Sequence, residues 1–220
     1  MTLTFLLVAH IAVLGYWLGS EFVINSTYRF VCYRVDLDLE ARSRLMEHVM
    51  DVDQHVRYAL VLQTCLGIAL AARFGYVPGA NATVTGVAVA GLLWLGYVEL
   101  VHRLRHHSYG KLLAQIDRAI RYVLIAVLLI LAVGGFSAAL SIPNWLRWKL
   151  ALFAGVLLCG VAIRFALMAH FSTWAKMQRD GATPEHNAAI QQTYVRATSI
   201  LLLLWLFIAG IVVLSIIKPL

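Results

Sequence analysis

The chain has 220 residues, of which 61% are hydrophobic and 13% are charged, and its net charge is +7. Soluble domains carry roughly 45–50% apolar and about 25% charged residues, so a water-soluble fold of this length could not bury so much apolar surface. Intrinsic disorder and nucleic-acid-binding domains are excluded too, because both require chains rich in polar or charged residues. The composition indicates a protein that lies in the lipid bilayer.

Six apolar runs are long enough to cross the hydrocarbon core, which takes about 20 helical residues for about 30 Å. They lack the alternation of membrane strands, so we predict an all-α integral membrane protein, a bundle of six transmembrane helices. The predicted spans are residues 3–31, 56–74, 83–101, 119–140, 145–171 and 195–217. We predict a single domain over residues 1–220, with a charged helical segment at residues 32–55 on the cytoplasmic side as an extension of the neighbouring spans.

Lys and Arg are distributed unequally between the segments that connect these runs. Thirteen of them follow the first, third and fifth spans, and four lie on the other side. Because the cytoplasmic segments of membrane proteins are enriched in Lys and Arg, we predict that both termini are non-cytoplasmic.

Ionisable side chains also occur inside the predicted spans, where each costs from about 2.5 kcal/mol upward near the bilayer centre. In the first span, His10, Trp17, Glu21 and Tyr28 fall within about 20° of one line along a helix. We predict that this stripe faces the interior of the bundle.

Counting residues from the ends of the spans places the polar groups at two depths. The outer level contains His10 and Lys149. The inner level contains His55, His102, His170, Arg57 and Arg164. Facing helices of a bundle can supply axial ligands to haem, and basic side chains can neutralise its propionates. The residues therefore predict one haem b, with a second haem as a further hypothesis, and metal ligation by His10, His102 and His170.

Two other interpretations of the inner level remain open. His102 and His106 form an HxxxH pair one helical turn apart, which is a spacing that metal sites use. Alternatively, Glu21, Glu99 and Arg164 form a buried ion-pair network that holds the helices in register without a cofactor.

Two short motifs carry a resemblance to a known group of proteins. The segment AHIAVLGYWLGSEF at residues 9–22 and the segment NWLRWKL at residues 144–150 resemble the bacterial haem-binding, oxygen-independent membrane protoporphyrinogen IX oxidases. They are also similar to the copper-resistance D-type membrane domains. The resemblance covers the first span and the start of the fifth, and it implies that His10 and Lys149 are tied to haem b and activity.

The resulting functional hypothesis is a b-type haem-binding redox protein of the bacterial cytoplasmic (inner) membrane. It would oxidise a porphyrinogen or exchange electrons with a quinone, with Lys149 as the catalytic residue. The alternatives are an ion- or copper-handling transport module and a membrane-anchor subunit of a redox complex. The expected partners are the lipid bilayer, a quinone or porphyrinogen, and a second copy or a redox subunit, but no nucleic acid.

Overall fold

The computed structural model describes residues 2–105, 107–136 and 140–218. Within these ranges the chain forms six α-helices and no strand, which confirms the predicted all-α architecture. The helices are α1 (Leu3–Tyr33), α2 (Leu39–Arg73), α3 (Ala80–Arg103), α4 (Gly110–Ala132), α5 (Asn144–Asp180) and α6 (Pro184–Ile217).

The helices pack so that both ends of the described chain lie at the same end of the bundle. Helices α1, α2, α5 and α6 form its centre, while α3 packs on α2 and α4 packs on α5. Leu6, near the start of α1, clusters with Ala69 and Leu70 near the end of α2. Lys218, just after α6, lies 5.5 Å from the ring centre of Phe74 at the end of α2. We call this end the terminal end and the opposite one the charged end.

In the described ranges, five of the six helices, all except α4, are long and apolar enough to cross a membrane. Helix α4 begins and ends earlier than its predicted span of residues 119–140. It includes the charged residues from Lys111 to Arg121 and ends at Ala132. Gly134 adopts a φ of 90°, a left-handed conformation that suits glycine after a helix end. Only residues 122–132 form its uncharged part, about 16 Å at 1.5 Å per residue.

The turn between α1 and α2 is built by short-range polar contacts. Arg34 donates two hydrogen bonds to the Asp36 carboxylate, at 2.8 and 2.7 Å, and they hold the pKa of Asp36 below its usual range. Asp38 then begins α2, because its carboxylate accepts a 2.6 Å hydrogen bond from the Ala41 backbone N–H. Residues 39–55 are thus the first half of one continuous helix, as the predicted extension of the second span requires.

Besides the small cluster around Leu6, two larger apolar clusters fill the interior along the bundle. The first includes Trp17, Leu60, Ala154, Val156 and Leu204 and lies between α1, α2, α5 and α6, with α4 at its edge. The second lies toward the charged end and includes Tyr28, Val31, Met46, Trp174 and Ile190. The helices that these clusters hold together carry the polar groups of the bundle, some between the two clusters and others at the terminal end.

The orientation of the bundle in the membrane is a testable prediction. Because basic residues are concentrated at the charged end, we expect that end to face the cytoplasm and both termini to face away from it. Single cysteines at positions 34, 111 and 179, in a variant that lacks Cys32, Cys65 and Cys159, should react with a membrane-impermeant maleimide only after the cells are opened. Labelling of these three positions in intact cells would contradict the orientation.

Candidate functional site

His10 is a half-buried imidazole near the terminal end. The side-chain amide of Gln63 in α2 donates a hydrogen bond to its Nε2 atom at 3.2 Å. Its Nδ1 atom is buried and has no hydrogen-bond partner among the described residues. Gly67 lies beside the ring, and a Cβ atom there would be 3.7 Å from Cε1 of His10. The ring therefore keeps one nitrogen without a protein partner in an apolar setting.

Lys149 lies at the same end, in the first turns of α5. Its Nζ atom donates a 2.9 Å hydrogen bond to the Ser215 hydroxyl of α6. Its ammonium group is an electrostatic neighbour of the His10 ring and of Lys218. The two residues of the predicted outer level thus lie at the same end of the bundle, one on α1 and one on α5.

The terminal end carries basic side chains and no Asp or Glu side chain. All eleven acidic residues of the chain lie in the described ranges. Each lies in the half of the bundle nearer the charged end, or in the loops at that end. The basic residues at the terminal end are Arg73, Arg147, Lys149 and Lys218. The buried Nε atoms of Arg73 and Arg147 and the Oε1 atom of Gln63 have no hydrogen-bond partner among the described residues. This end is therefore suited to hold a negatively charged group.

Aromatic rings surround part of this basic end. Lys218 lies 5.5 Å from the ring centre of Phe74 and 5.8 Å from that of Trp145. Tyr76 stacks on Phe74 and contacts Trp145 edge to face. Such rings attract the ammonium group and offer flat apolar surface to a conjugated ligand.

Glu21 is the most deeply placed carboxylate of α1 and is 5% exposed. The indole N–H groups of Trp17 and Trp205 each donate a 2.6 Å hydrogen bond to a different oxygen of its carboxylate. Trp17, Glu21 and Tyr28 are all buried, so the polar stripe predicted on the first span does face the interior. The stripe joins α1 to α6 at Trp205 and to α5 at His170.

The three histidines of the predicted inner level lie in three separate environments. His55 is exposed, and its Nδ1 is 2.6 Å from the Tyr16 hydroxyl. His102 is half-buried, with its Nε2 3.9 Å from a carboxylate oxygen of Asp51. His170 is completely buried beside Tyr28, whose hydroxyl is 3.1 Å from Nδ1.

Of these three histidines, His170 is the one with a buried ring nitrogen that lacks a partner among the described residues. It stacks on Trp174 with ring centres 5.3 Å apart, and its Nε2 has no hydrogen-bond partner among the described residues. No hydrogen bond or ring contact joins His170 to His55 or His102 in the described ranges. A second haem held by these histidines remains a prediction.

Arg57 and Arg164, the predicted inner cofactor-binding arginines, meet at one carboxylate. Asp53 lies 3.3 Å from Nε of Arg57 and 3.8 Å from Nη2 of Arg164. Glu99 instead pairs with Arg103 at 2.5 Å and accepts a hydrogen bond from the Tyr58 hydroxyl. The predicted network of Glu21, Glu99 and Arg164 is therefore wrong in its carboxylates: Asp53 lies next to Arg164, while Glu21 accepts hydrogen bonds from two indoles and Glu99 pairs with Arg103.

The HxxxH interpretation lies only partly within the described residues. His106 is outside them, while His102 is described above and His107 is exposed. Among the described residues, no group of three or more His, Cys, Asp or Glu side chains is arranged to hold a metal ion. Ligation of a haem iron does not require such a group, since the porphyrin supplies the other donor atoms.

Several residues of these sites escaped sequence reasoning. Gln63 and Ser215 are polar residues within apolar runs, which was a signal, but their partners lie on other helices. Asp53 and Arg121 were treated only as topological charges. Lys218 was counted with the loops, although it follows the last span directly and returns to the ring of Phe74.

Comparison of the chain with protein-family models, with curated proteins and with solved structures gives no match.

Proposed function

We propose that this protein is a b-type haem-binding redox protein of the bacterial inner membrane, and that its haem site is the terminal end. The observation that carries the proposal is the setting of His10. A buried imidazole nitrogen without a protein partner lies at the same end of the bundle as Lys149, and the charged side chains of that end are all basic. Axial ligation by a histidine and neutralisation of two propionates by cations are the two requirements of such a site.

The residues present fit a haem in their chemistry. His10 would hold the iron through its unprotonated ring nitrogen, which is Nε2 when Nδ1 carries the proton, so the Gln63 amide would release Nε2 on binding. Lys149 would supply a second ligand or a charge beside the reacting group. Arg73, Arg147 and Lys218 would neutralise the propionates, since arginine donates to a carboxylate through two N–H groups at once. When bound, haem supplies one-electron oxidation and reduction.

The substrate class follows from the same charges. A porphyrinogen carries propionates that the basic terminal end would hold, and Lys149 would then orient it or move a proton. Oxidation of the porphyrinogen removes hydrogen atoms, and a membrane quinone, reduced to the quinol, is the class of acceptor that would receive them. The apolar walls of the bundle would exclude water during these steps, which strengthens each electrostatic contact.

The test is the visible absorption spectrum of the full-length protein, purified in mild detergent from cells supplied with 5-aminolaevulinate. We expect a Soret band, α and β bands that appear on reduction with dithionite, and a pyridine haemochrome of the b type. A protein without a Soret band would contradict the proposal and would favour the transport or anchor alternatives. A ratio of two haems that falls to one in His102→Ala or His170→Ala would support the second haem.

A further inference from the structure

A second candidate site lies away from the terminal end. A cavity of about 130 Å³ lies between α1, α2, α5 and α6, bordered by both of the larger apolar clusters, and α4 reaches its edge. We call it the inner cavity. Most of its wall is apolar, including Ile24, Val56, Leu60, Val156 and Leu204. Its charged lining consists of Glu21, Asp53, Arg57, Arg121 and Arg164.

The arginines at the inner cavity outnumber the carboxylates that pair with them. Arg57 and Arg164 share Asp53, at 3.3 and 3.8 Å, and Arg121 pairs with Asp117 at 3.0 Å. The contact of Arg164 is too long for a hydrogen bond, so Asp53 acts on it only as a charge. Three guanidinium groups thus face two aspartates.

Glu21 does not provide the missing negative charge by contact. Both of its oxygens accept hydrogen bonds from indoles, one from Trp17 and one from Trp205. The electrostatic neighbours of Arg164 are Arg57, Asp53, Arg121 and Asp117. The side chain of Arg164 is 39% exposed and its nearest carboxylate oxygen is 3.8 Å away, so its charge is only partly compensated. Such groups in membrane proteins mark binding sites and pathways.

We propose that the inner cavity binds the carboxylate of an amphipathic ligand, with Arg164 as its main partner. The planar guanidinium group matches a carboxylate in geometry and charge. The apolar walls match an aliphatic stem next to that carboxylate. The cavity is smaller than the roughly 300–1,000 Å³ of sites that enclose a whole drug-sized ligand. It therefore takes an acidic arm, which a fatty acid or a propionate of a tetrapyrrole would provide.

The probe for the first source is octanoate, and methyl octanoate is its uncharged control. Binding to the purified full chain is measured by the rise in melting temperature with concentration, which mass action converts into a Kd. We expect octanoate to raise the melting temperature and the ester to leave it unchanged. The probe for the second source is protoporphyrin IX, followed by its fluorescence anisotropy, with its dimethyl ester as control. Binding of either acid that Arg164→Gln weakens identifies the source, because protoporphyrin IX could also bind at the terminal end. Failure of both acids, or binding that Arg164→Gln leaves unchanged, overturns the proposal.

Three variants separate charge at the inner cavity from other effects. Arg164→Gln should weaken carboxylate binding by about tenfold or more, the effect of losing a hydrogen bond to a charged group. Arg118→Gln, on the exposed face of α4, should leave it unchanged. Asp53→Asn should tighten it, because a second guanidinium loses its counter-charge. A loss of affinity in Asp53→Asn, or equal Kd values in Arg164→Gln and wild type, would overturn the assignment.

The inner cavity is independent of the terminal end. His10→Ala should therefore keep its octanoate affinity even if it loses a haem. Haem binding without octanoate or protoporphyrin binding would overturn the inner cavity alone, and the reverse result would overturn the proposed haem site alone.

Discussion

Replacement of His10 by alanine should reduce the haem-to-protein ratio of the purified protein by about tenfold or more, because in the proposed site His10 would hold the haem iron. The Nδ1 atom of His10 is buried and no described protein group satisfies it, so the substitution removes that nitrogen and leaves the Gln63 amide without its acceptor. The ratio is measured by the pyridine haemochrome against protein concentration.

His186→Ala is the matched control for His10→Ala. His186 begins α6, where its backbone N–H donates to the Thr183 hydroxyl, and its ring lies 3.2 Å from the Gly181 carbonyl. His186 is far from the terminal end, so the haem content of His186→Ala should equal that of the wild-type protein. Equal haem content in the two variants would exclude His10 as a ligand. Addition of imidazole to His10→Gly should restore the Soret band if the site itself remains folded.

Replacement of Arg42 by alanine should destabilise the charged end by about 2–4 kcal/mol. Arg42 is 1% exposed; it donates to the Val31 carbonyl at 3.0 Å and to the Asn187 side chain at 3.1 Å. Its guanidinium carbon also lies 5.2 Å from the ring centre of Trp174. The substitution leaves a buried carbonyl without its donor and opens a space between α1, α2 and α5.

Arg44→Ala provides the comparison two residues further along the same helix. Arg44 pairs with Glu40 in water, with both side chains about three-quarters exposed, so its loss should cost at most about 0.5 kcal/mol. Thermal unfolding in detergent, followed by tryptophan fluorescence, measures both variants. Similar melting temperatures for Arg42→Ala and Arg44→Ala would refute the structural role of Arg42.

Hydropathy and helical periodicity predicted the parts of the fold that depend on one helix at a time. They gave the helical class and the inward stripe of Trp17, Glu21 and Tyr28, because burial on a helix repeats at a known angle. They misplaced α4, since the apolar residues after Ala132 continue the hydropathy while Gly134 ends the helix.

Pairing between helices was much harder to predict. Glu21 and Trp205 are 184 residues apart, and no local pattern indicates that they meet. Depth alone grouped His55, His102 and His170, but rotation about the helix axes separates them, because an exposed and a buried residue can share one level. His10 and Lys149 were assigned to one level because each lies near the start of its span, and both lie at the terminal end of the bundle. Their joint role in one site stays a prediction.

The length of α2, α5 and α6 has a consequence for the way the protein responds to its surroundings. At 1.5 Å per residue each is about 50 Å long or more, against about 30 Å of hydrocarbon, so the cluster around Trp174 and Ile190 extends toward water. The hydrophobic effect of water stabilises only the cluster around Trp174 and Ile190. The rest of the apolar interior is surrounded by lipid tails, so its burial releases no water. Urea and cooling should therefore loosen the end around Trp174 first, whereas a change of detergent chain length should act on the end around His10.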